Sequence, residues 1–145
     1  MVARAGKEYL VETDFLFGLR AGDRLHEHVM RALAKNRGGE LKLAVPSSSV
    51  VEVRAVLYSR GFKPSDVESI LALMDAKLAE YGVRDFVELE LADAVFAERL
   101  RVERSFLGFF DSLHAAVAVR RRRPLLTADE VYAKVGVTVR DLHEL

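Results

Sequence analysis

Four acidic residues occupy positions from which the strands of one sheet could bring their carboxylates together. They are Asp14, Glu52, Asp111 and Asp129. Clustered carboxylates repel one another, and a hard divalent cation is the usual reason for a protein to tolerate that repulsion. The chain has no cysteine, which excludes disulfides and thiolate zinc sites, and oxygen-only ligation favours Mg²⁺ or Mn²⁺. The chemistry that fits such a site is metal-assisted hydrolysis of a phosphodiester bond.

The elements that must position these acids follow from the apolar pattern. Short apolar runs alternate with longer helical patterns, which is typical of an α/β protein with a parallel sheet. We predict a single domain over residues 1–145. The predicted strands are 9–11, 41–45, 86–89, 124–126 and 137–139, and the predicted helices are 15–21, 23–36, 49–59, 65–81, 92–104 and 111–121.

Three of the acids are predicted at the same edge of this sheet. Asp14 follows the first strand, Glu52 lies in the first turn of the helix after the second, and Asp129 follows the fourth. Ligands of open α/β sheets bind beyond the carboxyl ends of the strands. Asp111 lies near the start of the helix that leads into the fourth strand, and an antiparallel helix layer would return it to that edge.

Three of these acids have a structural alternative. Asp14 could cap the helix that follows it. Glu52 stands three residues after Ser49, which is the spacing of a capping box. Asp129 could be a first-turn acid favoured by the helix dipole, in a segment opened by Thr127. Taken singly, each is explained by capping, so the metal hypothesis depends on their joint placement.

Asp111 is harder to explain by capping alone. It lies in an apolar segment, residues 107–116, that is expected to pack inside. A carboxylate there must be paired, protonated or bound to a cation, although a capping role stays open. His114, three residues on, is interpreted as a packed or supporting histidine, with metal ligation or general-base catalysis as alternatives.

Charge and hydropathy limit the partners. The formal net charge is zero, so no global basic field indicates nucleic-acid binding. The run Arg120–Arg123 could attract RNA phosphates or an acidic partner segment, but a solvated helix end is the favoured interpretation. No apolar run reaches the roughly 18 residues that span a bilayer. Met1–Lys7 lacks the apolar stretch of a secretory signal, so we expect a cytoplasmic protein.

The acids stand in a pattern that resembles the PIN-domain family, and the similarity covers nearly the whole chain. Its most specific parts are the segment Asp111-Ser-Leu-His-Ala-Ala116 and the pair Thr127 and Asp129 after a short apolar strand. The remaining matching segments are Val11-Glu-Thr-Asp14-Phe-Leu16 and Pro46-Ser-Ser-Ser-Val-Val-Glu52.

This resemblance implies a three-layer, Rossmann-like fold with a central parallel sheet of four or five strands flanked by helices. It also implies a carboxylate site for Mg²⁺ or Mn²⁺ and endoribonuclease activity on RNA. The four acids match the metal-site acids of the family, as candidate catalytic and metal-ligating residues, and Thr127 matches a supporting hydroxyl. One departure is that many members carry Thr or Ser directly after the first Asp, whereas Phe15 follows Asp14 and Thr13 precedes it.

Small members of the family resemble VapC toxins of toxin–antitoxin pairs, which are typically homodimers inhibited by a small antitoxin protein. Two alternatives remain at this point: a housekeeping RNA-processing nuclease with the same chemistry, and a non-catalytic PIN-like RNA-binding or scaffold protein. A phosphotransfer domain is not supported, because Phe15 and Leu16 follow Asp14 where haloacid-type phosphatases need Asp-x-Asp.

Overall fold

The computed structural model describes residues 7–145, so the expectation about a secretory signal falls on residues outside this range. Within it, no helix is both long and apolar enough to cross a membrane. The strands are β1 (Lys7–Val11), β2 (Leu41–Pro46), β3 (Asp85–Val87), β4 (Leu125–Thr127) and β5 (Val139–Asp141). The α-helices are α1 (Thr13–Phe17), α2 (His26–Arg37), α3 (Ser47–Ser59), α4 (Pro64–Glu80), α5 (Leu91–Glu103) and α6 (Phe109–Arg121), and two 3₁₀ helices span Tyr132–Val135 and Leu142–Glu144.

The five strands form one parallel sheet in the order β3-β2-β1-β4-β5. Strands β2 and β3 lie on one side of β1, and strands β4 and β5 lie on its other side. The direction of winding therefore reverses between β1 and β4. In open α/β sheets, a ligand site lies beyond the carboxyl ends of the strands at this reversal. The predicted parallel sheet flanked by helices is confirmed.

Apolar side chains of the strands point alternately to the two faces of the sheet and pack against helices on both. Tyr9 and Val11 on β1 belong to a core built with helices α1 to α4, whereas Leu10 belongs to a second core built with α6 and the first 3₁₀ helix. Successive strand residues point to opposite faces, so a strand buried on both sides is apolar throughout. The result is the three-layer arrangement that was expected.

Several predicted boundaries are wrong by two residues or more, and the largest difference is at the first helix, which ends at Phe17 rather than at Ala21. Two of the differences have a clear local reason. The second helix begins at His26 rather than Asp23, because the Asp23 side chain accepts a hydrogen bond from the Leu25 amide at 2.9 Å and forms a turn there. The fifth strand begins two residues later than predicted. The amide of Val137 donates to the carbonyl of Tyr132 at 3.2 Å, closing a turn, so it is not available for pairing with β4.

The arginine run also differs from the expected solvated helix end. Arg120 and Arg121 both contact the carboxylate of Asp93, which is fully buried near the start of α5. Asp93 also accepts a hydrogen bond from the Glu90 amide at 2.7 Å, completing a capping box. This cluster holds the end of α6 on the start of α5, so these two arginines have a structural role.

Candidate active site

An acid that sequence reasoning did not select lies at the centre of the winding reversal. Glu12 directly follows β1 and is only 5% exposed. Burial first, and then the nearby charge of Asp14, raise its pKa to about 8, and Asp111 and Asp129 add to the rise. The Thr127 hydroxyl donates a long, 3.4 Å hydrogen bond to Glu12 Oε1. The signal for Glu12 in the sequence was an acid placed directly after the three apolar residues 9–11 of β1.

Glu12 also accounts for the departure noted around the first acid. Thr13 directly follows Glu12, so the expected order of acid and hydroxyl residue holds when Glu12, rather than Asp14, is counted as the first acid. Asp14 lies two residues on, in the first turn of α1. The site therefore receives two carboxylates from this short segment.

Asp14 and Asp129 line the same cavity at the reversal. Burial raises the pKa of Asp14 despite the opposing charge of Arg24, and Asp129, Glu52 and Asp111 contribute to the rise. Asp129 is exposed and follows β4. Its carboxylate accepts the Val131 amide at 2.9 Å, and its own amide donates to the Thr127 hydroxyl at 3.0 Å.

Glu52 is the one acid of the group whose pKa is lowered. Burial would raise it, but hydrogen bonds from His114 and Thr13 outweigh that effect. Glu52 Oε1 lies 2.9 Å from His114 Nε2, and the Thr13 hydroxyl donates to the same oxygen. His114 is fully buried, as the interpretation of a packed, supporting histidine predicted.

Asp111 lies in the first turn of α6, half-buried, rather than at its N-cap, which is Gly108. Burial raises its pKa, a hydrogen bond from Tyr132 opposes the rise, and the charges of Glu52 and Asp129 add to it. The Tyr132 hydroxyl donates to Asp111 Oδ1 at 3.0 Å.

Helix capping was the structural alternative for Asp14, Glu52 and Asp129, and the structure gives a separate answer for each. The residue at the N-cap of α1 is Glu12 and not Asp14. The helix that carries Glu52 begins at Ser47, and Ser49 donates to the Val11 carbonyl at 3.3 Å, so Ser49 and Glu52 form no capping box. Asp129 does close a local turn. Capping therefore explains neither Asp14 nor Glu52.

The four predicted acids and Glu12 thus influence one another at one edge of the sheet. Ligand atoms of Glu52, Asp111 and His114 lie within 4.8 Å of one another. A divalent cation among carboxylate oxygens would offset the repulsion and burial that raise the pKa values of Glu12, Asp14 and Asp111. The residues present fit a Mg²⁺ or Mn²⁺ site by the chemistry of their donor atoms.

Basic side chains border the acidic cluster. An open cavity of about 430 Å³ is lined by Asp14 and Asp129 together with Arg24 and Lys134. Arg24 also lines a larger neighbouring groove of about 660 Å³, whose floor is mostly apolar. A chain of negatively charged phosphates could approach the acids only beside compensating cations, and this rim supplies them.

Comparisons with known proteins agree with this geometry. The model of the PIN domain family matches residues 9–137, which include all five acids. No curated protein sequence matches the chain.

Three similar solved structures share the fold at low sequence identity. A chain of FitAcB from Neisseria gonorrhoeae is 14% identical with a TM-score of 0.69, covering 94% of this chain and 99% of that one. DNA-bound VapBC from Salmonella typhimurium is 15% identical with a TM-score of 0.68, covering 94% and 98%. VapC20 from Mycobacterium tuberculosis, described as a sarcin–ricin loop cleaving toxin, is 17% identical with a TM-score of 0.64, covering 90% and 96%.

From the family match over residues 9–137, together with the five-stranded parallel sheet and the acids at its winding reversal, we conclude that the chain belongs to the PIN domain family of nucleases.

Proposed function

We propose that the chain is a Mg²⁺- or Mn²⁺-dependent endoribonuclease and the toxin of a toxin–antitoxin pair. The observation that carries the proposal is the cluster of acids at the winding reversal, three of which have raised pKa values. Such a cluster is costly for a binding scaffold, since burial and repulsion disfavour its ionised form. It is useful where a divalent cation and a phosphodiester must meet.

The roles of the residues follow from their surroundings. Asp14, Asp111 and Asp129, with Glu12 and Glu52, would hold the cation through carboxylate oxygens. The bound ion would polarise the phosphodiester and make water a better nucleophile. Glu52 remains ionised because His114 and Thr13 donate hydrogen bonds to it. Thr127 and Tyr132 would keep Glu12 and Asp111 in place.

Partners and substrate are inferred from the similar proteins. VapC20 is described as a toxin that cleaves the sarcin–ricin loop, and VapBC is described as bound to DNA. By analogy, we propose RNA as the substrate, a small antitoxin protein as the inhibitor, a homodimer as the assembly and the cytoplasm as the location. Arg24 and Lys134, which line the same cavity as Asp14 and Asp129, are the proposed contacts for RNA phosphates.

The direct test is cleavage of RNA, and of DNA of the same sequence, with Mn²⁺ and with EDTA. Wild type should cleave RNA only with metal, whereas Asp14→Asn and Asp111→Asn should lose at least a hundredfold in rate. Asp75→Asn, on the exposed side of α4, is the matched control and should cleave like wild type. Cleavage that survives EDTA, or that both site variants retain, would refute the mechanism.

A second experiment separates a toxin from a housekeeping nuclease with the same chemistry. Induced expression of wild type should arrest bacterial growth, and Asp111→Asn should not. Co-expression of a short neighbouring gene that encodes a DNA-binding protein should restore growth. Cleavage in vitro without growth arrest would favour the housekeeping role.

A further inference from the structure

A buried row of side chains leads from the start of α3 to Glu52. The Ser48 hydroxyl lies 2.8 Å from His114 Nδ1, and His114 Nε2 lies 2.9 Å from Glu52 Oε1. Ser48 and His114 are both fully buried. Ser48 therefore reaches Glu52 only through the imidazole ring.

The acceptor chemistry of Glu52 decides the tautomer of this ring. An ionised carboxylate only accepts hydrogen bonds, so Nε2 must carry a proton and donate it to Glu52. In the neutral ring Nδ1 is then an acceptor, and the Ser48 hydroxyl donates to it. Both ring nitrogens are thus engaged, and neither presents a free lone pair to the acids. This arrangement favours a role for His114 other than that of a metal ligand.

We propose that Ser48 and His114 are positioning residues that hold the Glu52 carboxylate in one orientation toward the acidic cluster. The proposal rests on the proposed metal-dependent function. Thr13 donates to the same oxygen, Oε1, so two donors fix one oxygen of Glu52, while Oε2 makes no hydrogen bond with any of residues 7–145. Groups that orient a metal-binding side chain typically contribute 10- to 100-fold to metal affinity or activity.

The decisive comparison is between two adjacent serines. Ser48→Ala removes the donor to Nδ1, so the ring is held only through Nε2 and can turn away from Glu52. Ser49→Ala is the matched control, because Ser49 is equally buried in the same turn but bonds to the Val11 carbonyl. Nitrogen-15 NMR of metal-free protein should show a protonated Nε2 in wild type and in Ser49→Ala. In Ser48→Ala the carboxylate still keeps the proton on Nε2, but the Nδ1 resonance should shift from its wild-type position because that nitrogen has lost its hydrogen-bond donor.

Metal binding supplies the second measurement. The Mn²⁺ concentration that gives half of the maximal thermal shift should rise about tenfold in Ser48→Ala and stay within twofold of wild type in Ser49→Ala. In RNA cleavage at saturating Mn²⁺, kcat should fall while KM for RNA stays constant, since Ser48 and His114 lie beneath the acids and away from the basic rim.

Substitution of the histidine provides the rescue experiment. His114→Gln retains an N–H donor near the position of Nε2, whereas His114→Leu fills the space without a donor. The half-saturating Mn²⁺ concentration of the Gln variant should stay within about fivefold of wild type, while that of the Leu variant should rise by 10- to 100-fold. Comparable losses in both variants would instead identify His114 as a ligand and overturn the positioning role.

The two proposals fail in different ways. Absence of Mn²⁺-dependent RNA cleavage in wild type would refute the proposed function, and the Nδ1 resonance and the Mn²⁺ titration would still decide the role of Ser48. If wild type cleaves RNA but Ser48→Ala matches Ser49→Ala in its Nδ1 resonance, Mn²⁺ titration and kcat, the positioning role is refuted.

Discussion

The hydroxyl of Tyr132 donates a hydrogen bond of 3.0 Å to Oδ1 of Asp111 and so ties the 3₁₀ helix after β4 to the first turn of α6. Tyr132 is fully buried. Burial, followed by the charges of Glu12 and Asp111, raises the pKa of Tyr132 far above its ordinary value, so the hydroxyl stays protonated and can only donate to the acid.

Replacing this tyrosine should weaken metal binding in a pH-dependent way. Tyr132→Phe removes a hydrogen bond that lowers the pKa of Asp111, so Asp111 becomes protonated at a higher pH and binds cations less well. Mn²⁺ affinity should fall several-fold at pH 6 and less at pH 8, and stability should fall by about 1 kcal/mol. Tyr58→Phe, on the exposed side of α3, should change neither quantity. An equal loss of affinity at both pH values would contradict this account.

The metal-free protein should become less stable as the pH rises. Glu12 has a pKa of about 8 when folded against an ordinary value of 4.5, so the folded state binds its proton more tightly than the unfolded state. The free energy of unfolding should therefore fall between about pH 4.5 and pH 8 in EDTA. Glu12→Gln should lose this dependence and exceed wild type in stability at pH 8. Urea denaturation at several pH values measures this free energy. If it depends on pH in the same way in wild type and in Glu12→Gln, Glu12 is not the cause.

Asp111→Asn should separate metal binding from folding. Since burial and repulsion already disfavour the ionised form of Asp111, the metal-free variant should be as stable as wild type or slightly more so. Addition of Mn²⁺ stabilises whichever folded protein binds it, so the thermal shift should be smaller in the variant. Equal shifts in the two proteins would argue that Asp111 is not a ligand.

Arg24→Gln tests the basic rim. Loss of one phosphate contact to single-stranded RNA should raise KM and reduce the slope of log affinity against log salt concentration by about 0.7, with kcat little changed. Arg99→Gln provides the control, since Arg99 is an exposed arginine on α5, which contributes no acid to the site. An unchanged salt slope in Arg24→Gln would place the RNA elsewhere.

Asp93→Asn should destabilise the fold and leave the chemistry intact. The substitution leaves Arg120 and Arg121 beside a neutral amide instead of a carboxylate. Loss of a buried charged partner lowers the free energy of unfolding by about 3 kcal/mol. These arginines lower the pKa of Asp93 to about 2. The stabilisation that the ionised Asp93 gives to the wild-type fold should therefore persist above pH 4 and disappear as the pH falls toward 2. Glu98→Gln, in an exposed pair with Arg101, should cost less than about 0.5 kcal/mol. Thermal denaturation and the cleavage rate per folded molecule check both points.

The sequence predicted an α/β fold with a parallel sheet because the alternation of short apolar runs with helical patterns is a local signal. The three layers were implied by the resemblance to the PIN-domain family. The sequence placed Glu52 and Asp111 correctly at the acidic edge, since each lies near the start of a helix. The role of Glu12 was missed because an acid at a strand end is ordinarily solvated. Its burial depends on contacts such as the one with Thr127, which lies 115 residues further along the chain.

Contacts between side chains that are distant in sequence could not be predicted either. Nothing in the run Arg120–Arg123 indicates that Asp93 lies under its first two residues. The start of β5 was misjudged for a related reason, because the turn at Val137 depends on the carbonyl of Tyr132. In both cases a tertiary contact outweighed the local pattern.

The position of β1 at the centre of the sheet also sets when activity can appear during synthesis. Thr13 and Glu12 are made well before their partners His114 and Thr127, which follow 101 and 115 residues later. A growing polypeptide that has reached residue 105 contains three strands of the sheet but neither Asp111 nor Asp129. On the proposed function, a partly translated chain would be harmless to RNA, and the nuclease would become competent only once its late strands had docked beside its earliest one.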